Sequence, residues 1–237
     1  MHALLRRHPV TAAFLCGAFT LSATACDRHV DDPAKSEILG KAIEATESAE
    51  SASTHSAGFS LAVPMKSRTS RDSRGNCTAT LTYGTSDTVD VIKVDKDVYV
   101  RRSETHLRGE ERDRTPEDLD ALIDKLRGRW TKSPAEGPDA PDELTLCGPV
   151  RFHSTLEQGW DDDPAKGEPT TVDGRKALKL VRPGNESETT VYVATEGPPY
   201  ILKIVTKGGD VPGTTTYDYD RPVEAKAPPA EDVVVAD

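Results

Sequence analysis

Thr88-Val89-Asp90-Val91-Ile92-Lys93-Val94-Asp95-Lys96-Asp97-Val98-Tyr99-Val100-Arg101-Arg102 decides the fold. Two runs rich in β-branched and aromatic residues flank the turn residues Asp95-Lys96-Asp97, which predicts a β-hairpin. Just upstream, Cys77, Ala79, Leu81 and Tyr83 alternate with polar residues. Further back Phe59, Leu61, Val63 and Met65 do the same, with Pro64 marking a strand end or an edge. Residues 67–76 are mostly Ser, Arg, Asp, Gly and Asn and read as a solvated turn. Four strands in a row with short polar connections predict an antiparallel meander, not a parallel βαβ sheet.

Downstream, Thr115-Pro116-Glu117-Asp118 supplies a capping residue, Pro at the first helical position and acids in the first turn. Leu119, Leu122, Ile123 and Leu126 then share a face, and Gly128 closes the helix. Trp130 begins a short apolar patch, and prolines and acids over 133–143 predict a loop. Residues 144–158 fit neither period and read as short helical turns broken by Gly148-Pro149. Strands resume with 169–172 and 175–181 around Asp173-Gly174, a hairpin turn pair. Residues 189–194, 200–206 and 214–219 complete about nine strands, and Pro222, Pro228 and Pro229 mark an extended tail over 221–237.

The other end of the chain says where the protein works. Arg6 and Arg7 precede an uncharged apolar run that ends in Ala23-Thr24-Ala25-Cys26, the layout of a secretory signal over 1–25. The apolar part is short of the roughly 20 residues of a spanning helix. A cysteine after small residues resembles the lipobox of bacterial lipoproteins, although Ala23 stands where Leu is usual. That resemblance implies a diacylglyceryl group on Cys26, cleavage before it, and attachment to the outer face of the cytoplasmic membrane. Plain secretion is the alternative. Residues 26–34 read as a polar tether. Ile38, Leu39, Ala42, Ile43 and Thr46 then line one face of an amphipathic helix over 35–50. The glutamates on its polar face disfavour a helix lying on the membrane.

Charge and cysteines narrow the class further. The net charge is −10, and removing residues 1–25 takes away two arginines and no acid. Such a chain does not suit nucleic acid, nor a polybasic contact with anionic lipid, so an anchor would have to do the holding. Only 35% of residues are hydrophobic and 5% aromatic, which predicts a thin or partly hollow core. With Cys16 in the signal and Cys26 at the lipid site, Cys77 and Cys147 remain as a pair in an exported chain. That predicts a disulfide worth about 4 kcal/mol in the chain-entropy account. A thiol nucleophile or metal site is the rival, without a histidine nearby in sequence to support it.

Taken together, the exported signal, first amphipathic helix, strand meander, Pro-capped helix before Gly128-Arg129-Trp130, Val172-Asp173-Gly174 hairpin and Pro-rich end resemble a known family. They look like the LppX/LprA/LprF/LprG lipoproteins of actinobacteria and, more distantly, the lipoprotein carrier LolA. Val191-Tyr192-Val193 followed by Ile201-Leu202-Lys203-Ile204 is similar to the family's paired late strands. The family's Asp-x-x-Thr-Gly-Leu-Pro turn is replaced by Thr195-Glu196-Gly197-Pro198-Pro199. The resemblance implies an α+β fold over 35–220: a strongly curved antiparallel sheet, or half-barrel, with helices across its concave face. Alternation then aims Phe59, Leu61, Val63, Leu81, Val91, Leu178, Leu180, Val191, Val193, Leu202 and Ile204 inward. They would line an apolar cavity for a lipid or acyl chain, or serve as ordinary core under the helices.

Chemistry is scarce. Gly-x-Ser-x-Gly, the P-loop pattern, His-Glu-x-x-His and Cys-x-x-Cys are all absent from the sequence. His29, His55, His106 and His153 are scattered among polar neighbours and read as surface or capping residues. Asp161-Asp162-Asp163 lacks the glycine and ligand pattern of a calcium loop. Glu110-Glu111-Arg112-Asp113-Arg114 reads as a wet linker. The expectation is therefore a non-enzyme without cofactor or metal. It is either a lipid carrier or chaperone of the cell envelope, or a tethered module with a filled core that recognises another envelope protein.

Overall fold

The computed structural model describes residues 35–60, 63–149, 152 and 165–235. The expected signal, Cys26 and tether, Leu61, and the Asp161-Asp162-Asp163 loop with His153 lie outside the described residues. Among the described residues, no helix is long and apolar enough to cross a membrane.

The chain begins with helix α1 (Lys35–Glu47) and continues through β1 (Ser51–Ser60), β2 (Val63–Asp72), β3 (Cys77–Tyr83), β4 (Asp87–Val94) and β5 (Asp97–Arg102). Helices α2 (Glu104–Glu110) and α3 (Pro116–Leu126) lead to β6 (Trp130–Pro134) and a 3-10 helix, Asp142–Cys147. Strands β7 (Ala165–Val172), β8 (Arg175–Pro183), β9 (Ser187–Ala194), β10 (Ile201–Gly208) and β11 (Gly213–Tyr219) follow, and β12 (Val233–Val235) closes the order.

All twelve strands join one open, curved sheet, in the order β12-β6-β5-β4-β3-β2-β1-β11-β10-β9-β8-β7. It is two meanders joined where β1 pairs with β11, and every contact is antiparallel except β12 on β6. At that seam the backbones approach so closely that a Cβ on Gly58 would stand 2.6 Å from the Pro212 carbonyl oxygen, which is why a glycine sits there. The Pro-rich tail ends as β12, which covers the outer edge of β6 and so shields an open strand edge.

Local chemistry accounts for most boundaries. Thr115 Oγ1 accepts from the Asp118 N–H at 3.2 Å, with Pro116 starting α3, as its sequence predicts. Asp173 and Gly174 both take positive φ, 48° and 79°, the conformation a two-residue hairpin with right-handed twist requires. The first meander departs from the sequence reading. Residues 59–65 are not one strand but the two arms at a hairpin tip, where Ser60 pairs with Val63, and β2 runs through most of the supposed turn as far as Asp72. Strand β1 itself is Ser-Ala-Ser-Thr-His-Ser in its first six positions and carries no apolar alternation.

Cross-strand partners share a face, so the register defines one continuous inner surface. It runs from Leu180 and Val191 through Ile204, Thr215, Ser56, Ser67 and Leu81 to Val89 and Arg102. Over the late strands, Leu39, Ala42 and Ile43 of α1 pack on Leu180, Val191, Val193 and Ile201, with Phe152 beside them. Over the early strands, Leu144, Leu146 and Cys147 pack on Cys77, Ala79, Val89, Val91, Val98 and Val100. Between the two cores the inner surface is hydroxylated: Thr54, Ser56, Ser67, Thr69 and Thr215 are half-buried there, with Ser56 and Thr215 hydrogen-bonded at 2.9 Å.

Candidate functional site

On the inner surface beside the early-strand core lies a hollow of about 630 Å³. Leu81, Tyr83 and Val89 form its floor, and Pro138, Ala140, Pro141 and Leu146 its far wall. Charged groups gather on one side: Arg102 from β5, His106 and Glu110 from α2, and Asp142 and Glu143 from the 3-10 helix.

Two local devices set these groups in place. Ser103 caps α2, its Oγ accepting from the His106 N–H at 3.1 Å and from the Thr88 N–H at 3.0 Å, which fixes the helix start to β4. A disulfide joins Cys77 in β3 to Cys147, with Cα atoms 5.7 Å apart, and so holds the 3-10 helix that bears Glu143 over the sheet. His106 then stands between two carboxylates, Nδ1 at 2.8 Å from Asp87 and Nε2 at 3.2 Å from Glu110. Arg102 is ion-paired with Glu143 through Nη2 and lies 3.5 Å from Glu110 through Nε. A few fixed polar groups beside an apolar floor are the usual make-up of a small-ligand pocket, and the volume falls within the common range of roughly 300–1,000 Å³.

A second polar feature lies elsewhere on the inner surface. Arg71 of β2 pairs with Ala52 and Cys77 across the sheet, and its Nε and Nη2 atoms are buried without a hydrogen-bond partner. Burial lowers the guanidinium pKa below its ordinary value, against the opposing influence of Tyr219 and Glu47. Burial likewise pushes the Tyr217 and Tyr219 hydroxyls well above the usual range.

The predicted cavity residues do not line one space. Leu178, Leu180, Val191, Val193 and Ile204 pack against α1, and Val91 lies under the disulfide. Among the described ones, Leu81 alone forms part of the hollow. Val63 is at the hairpin tip, 43% exposed. Phe59 lies on the opposite face, because β1 presents Thr54, Ser56 and Gly58 inward and therefore Phe59 outward. Leu202 sits at a bulge between Ile201 and Lys203, which turns it away from the α1 cluster onto Val172, Ala177 and Ala194. The sequence reading also missed Asp87, Arg102 and Glu143, and took His106 for a surface residue and Glu110 for part of a linker. The spacing of His106 and Glu110, four apart and hence on one helix face, was the available signal.

No protein-family model and no curated protein matches this sequence. Solved structures do. LprF from Mycobacterium bovis superposes with a TM-score of 0.51 over 81% of this chain and 96% of its own, at 13% identity. The fold is LprF-like. The Mycobacterium tuberculosis lipoprotein LppX also matches, with a TM-score of 0.48 over 82% of this chain and 100% of its own, at 14% identity.

Proposed function

We propose that this protein is an extracytoplasmic lipoprotein, anchored through Cys26, that holds an acyl chain of a lipid against the inner surface of its sheet. The reading has the sheet as a half-barrel whose concave side α1 and the 3-10 helix only partly fill. The hollow floored by Leu81, Tyr83 and Val89 carries the proposal. Affinity there needs no catalytic group: apolar surface leaving water contributes roughly 25 cal/mol per Å². The charged rim would then face the polar end of the ligand. The LprF-like fold supports a binding role over a hydrolytic one, because function here rests on the open hollow and not on a nucleophile and base.

The test is direct. Chain beginning at residue 27 is titrated with a fluorescent fatty acid, and its organic extract is examined by mass spectrometry. Saturable binding that Leu81→Trp abolishes by filling the hollow supports the carrier reading. Absence of both binding and co-purified lipid would leave a tethered recognition module with a filled core.

A further inference from the structure

The charged rim has a balance of its own. Asp87, Glu110 and Glu143 place three carboxylates around His106, with Arg102 as the cation paired to them. Arg102 offsets one of the three carboxylates, so two negative charges remain around the imidazole, before Asp142 at the edge of the hollow is counted. The imidazole makes the imbalance specific. If Nδ1–H donates to Asp87, then Nε2 presents its lone pair to a Glu110 carboxylate oxygen 3.2 Å away, two acceptors face to face. Glu143 Oε1 is buried and, although ion-paired with Arg102, receives no aligned hydrogen bond. His106 Nε2 and the Glu110 oxygen thus face one another as lone-pair donors, while Arg102 is the cation now held by Glu143.

We propose that His106 Nε2, Glu110 and Glu143 form a zinc-class divalent cation site. One ligand atom from each lies within 4.8 Å of the other two. Zinc holds nitrogen and oxygen ligands at about 2.0–2.2 Å, so the three need to draw together by roughly an ångström. Imidazole with carboxylates suits zinc and its neighbours in the first transition row better than calcium or magnesium. Asp87 plays the outer role that metal-bound histidines commonly need: its carboxylate fixes the tautomer and the ring orientation. Arg102 competes for the same carboxylates and would be displaced from Glu143 as the cation enters. The +2 charge then balances the excess. The site joins α2 to the disulfide-held 3-10 helix across the hollow, so occupancy would clip those two walls together. This proposal does not depend on the carrier reading.

The experiment uses the purified full-length chain, stripped with chelator and titrated with zinc chloride by calorimetry, with cobalt(II) absorption as a spectroscopic readout of imidazole ligation. One site per chain with micromolar or tighter affinity is expected. His106→Ala and Glu143→Gln should each weaken it at least tenfold, and Asp87→Asn by about 10–100-fold. Arg102→Ala should leave the affinity equal or tighter. Should His106→Ala not fold, Glu143→Gln carries the same reading from the 3-10 helix, because it keeps the side chain's shape and removes only its charge. Lack of binding below about 100 µM zinc overturns the proposal. So does affinity indifferent to His106 and Glu143, or an imidazolium at His106 that persists through the titration.

Discussion

Thr46 Oγ1, in the last turn of α1, accepts the backbone N–H of Ile201 at 2.9 Å, at the point where β10 bulges away from β9. A bulge leaves a ladder group unpaired, and Thr46, fully buried, takes up that donor. Tyr219 completes the arrangement: its hydroxyl donates to the Ile201 carbonyl at 2.5 Å and lies 3.4 Å from Thr46 Oγ1. The helix is thus fixed to the sheet by direction as well as by apolar burial. Thr46→Val keeps the shape and removes the acceptor, leaving a buried N–H unpaired. Urea unfolding should show a loss of about 1–3 kcal/mol, with Thr46→Ser close to the parent. A valine variant as stable as the parent would mean that α1 is held by Leu39, Ala42 and Ile43 alone.

The disulfide between Cys77 and Cys147 ties β3 to a segment that, among the described residues, otherwise contributes Ala135, Leu144 and Leu146 to the early-strand core. Replacing both cysteines by alanine should cost about 2–5 kcal/mol, and reduction should do the same. Because Glu143 rides on this segment, the double variant should also be cleaved faster between residues 134 and 148 in limited proteolysis. Equal cleavage rates would show that packing alone seats the segment.

What could be read from the sequence was whatever local chemistry dictates. Asp173-Gly174 turns a hairpin and Thr115-Pro116 starts a helix through their own backbone preferences, wherever the rest of the chain goes. Val191 and Val193 alternate because one face of β9 is core. Strands β1 and β2 were harder, since their inner surface is Ser and Thr and no hydrophobic period marks it. Helix α2 buries a single leucine, Leu107, too little for a stripe. The hollow and its charged rim were beyond reach for another reason. Asp87, Arg102, His106, Glu110 and Glu143 come from four elements, brought together by a cap and a disulfide that no sequence period encodes.

Asp72 organises the β2–β3 turn. Its carboxylate accepts from the Arg74 N–H at 3.0 Å, the Asn76 N–H at 2.9 Å and Asn76 Nδ2 at 2.9 Å. Desolvation raises its pKa, but the hydrogen bonds from Asn76 and Arg74 together outweigh that and hold it below the ordinary 3.8. A carboxyl depressed in the folded state adds stability above the unfolded pKa and loses it as pH falls through the folded value. Asp72→Asn should therefore be less stable than the parent at pH 6. The gap should close as pH drops below about 4. A gap that is constant with pH would assign the effect to turn geometry and not to charge.

Arg71 carries the opposite kind of prediction. Two of its guanidinium nitrogens are buried without partners, and burial disfavours its charge. A half-buried guanidinium whose Nε and Nη2 lack hydrogen-bond partners weakens the folded state, Glu47 offsetting part of that cost, while its methylene stem still packs on the inner surface. Arg71→Met keeps the stem and removes the charge. The urea midpoint should rise modestly, since solvent screens part of the half-buried charge. Arg71→Lys, which keeps the charge and loses the planar fork, should gain nothing. A methionine variant less stable than the parent would show that Glu47 and Tyr219 compensate the guanidinium well enough for it to hold the sheet together.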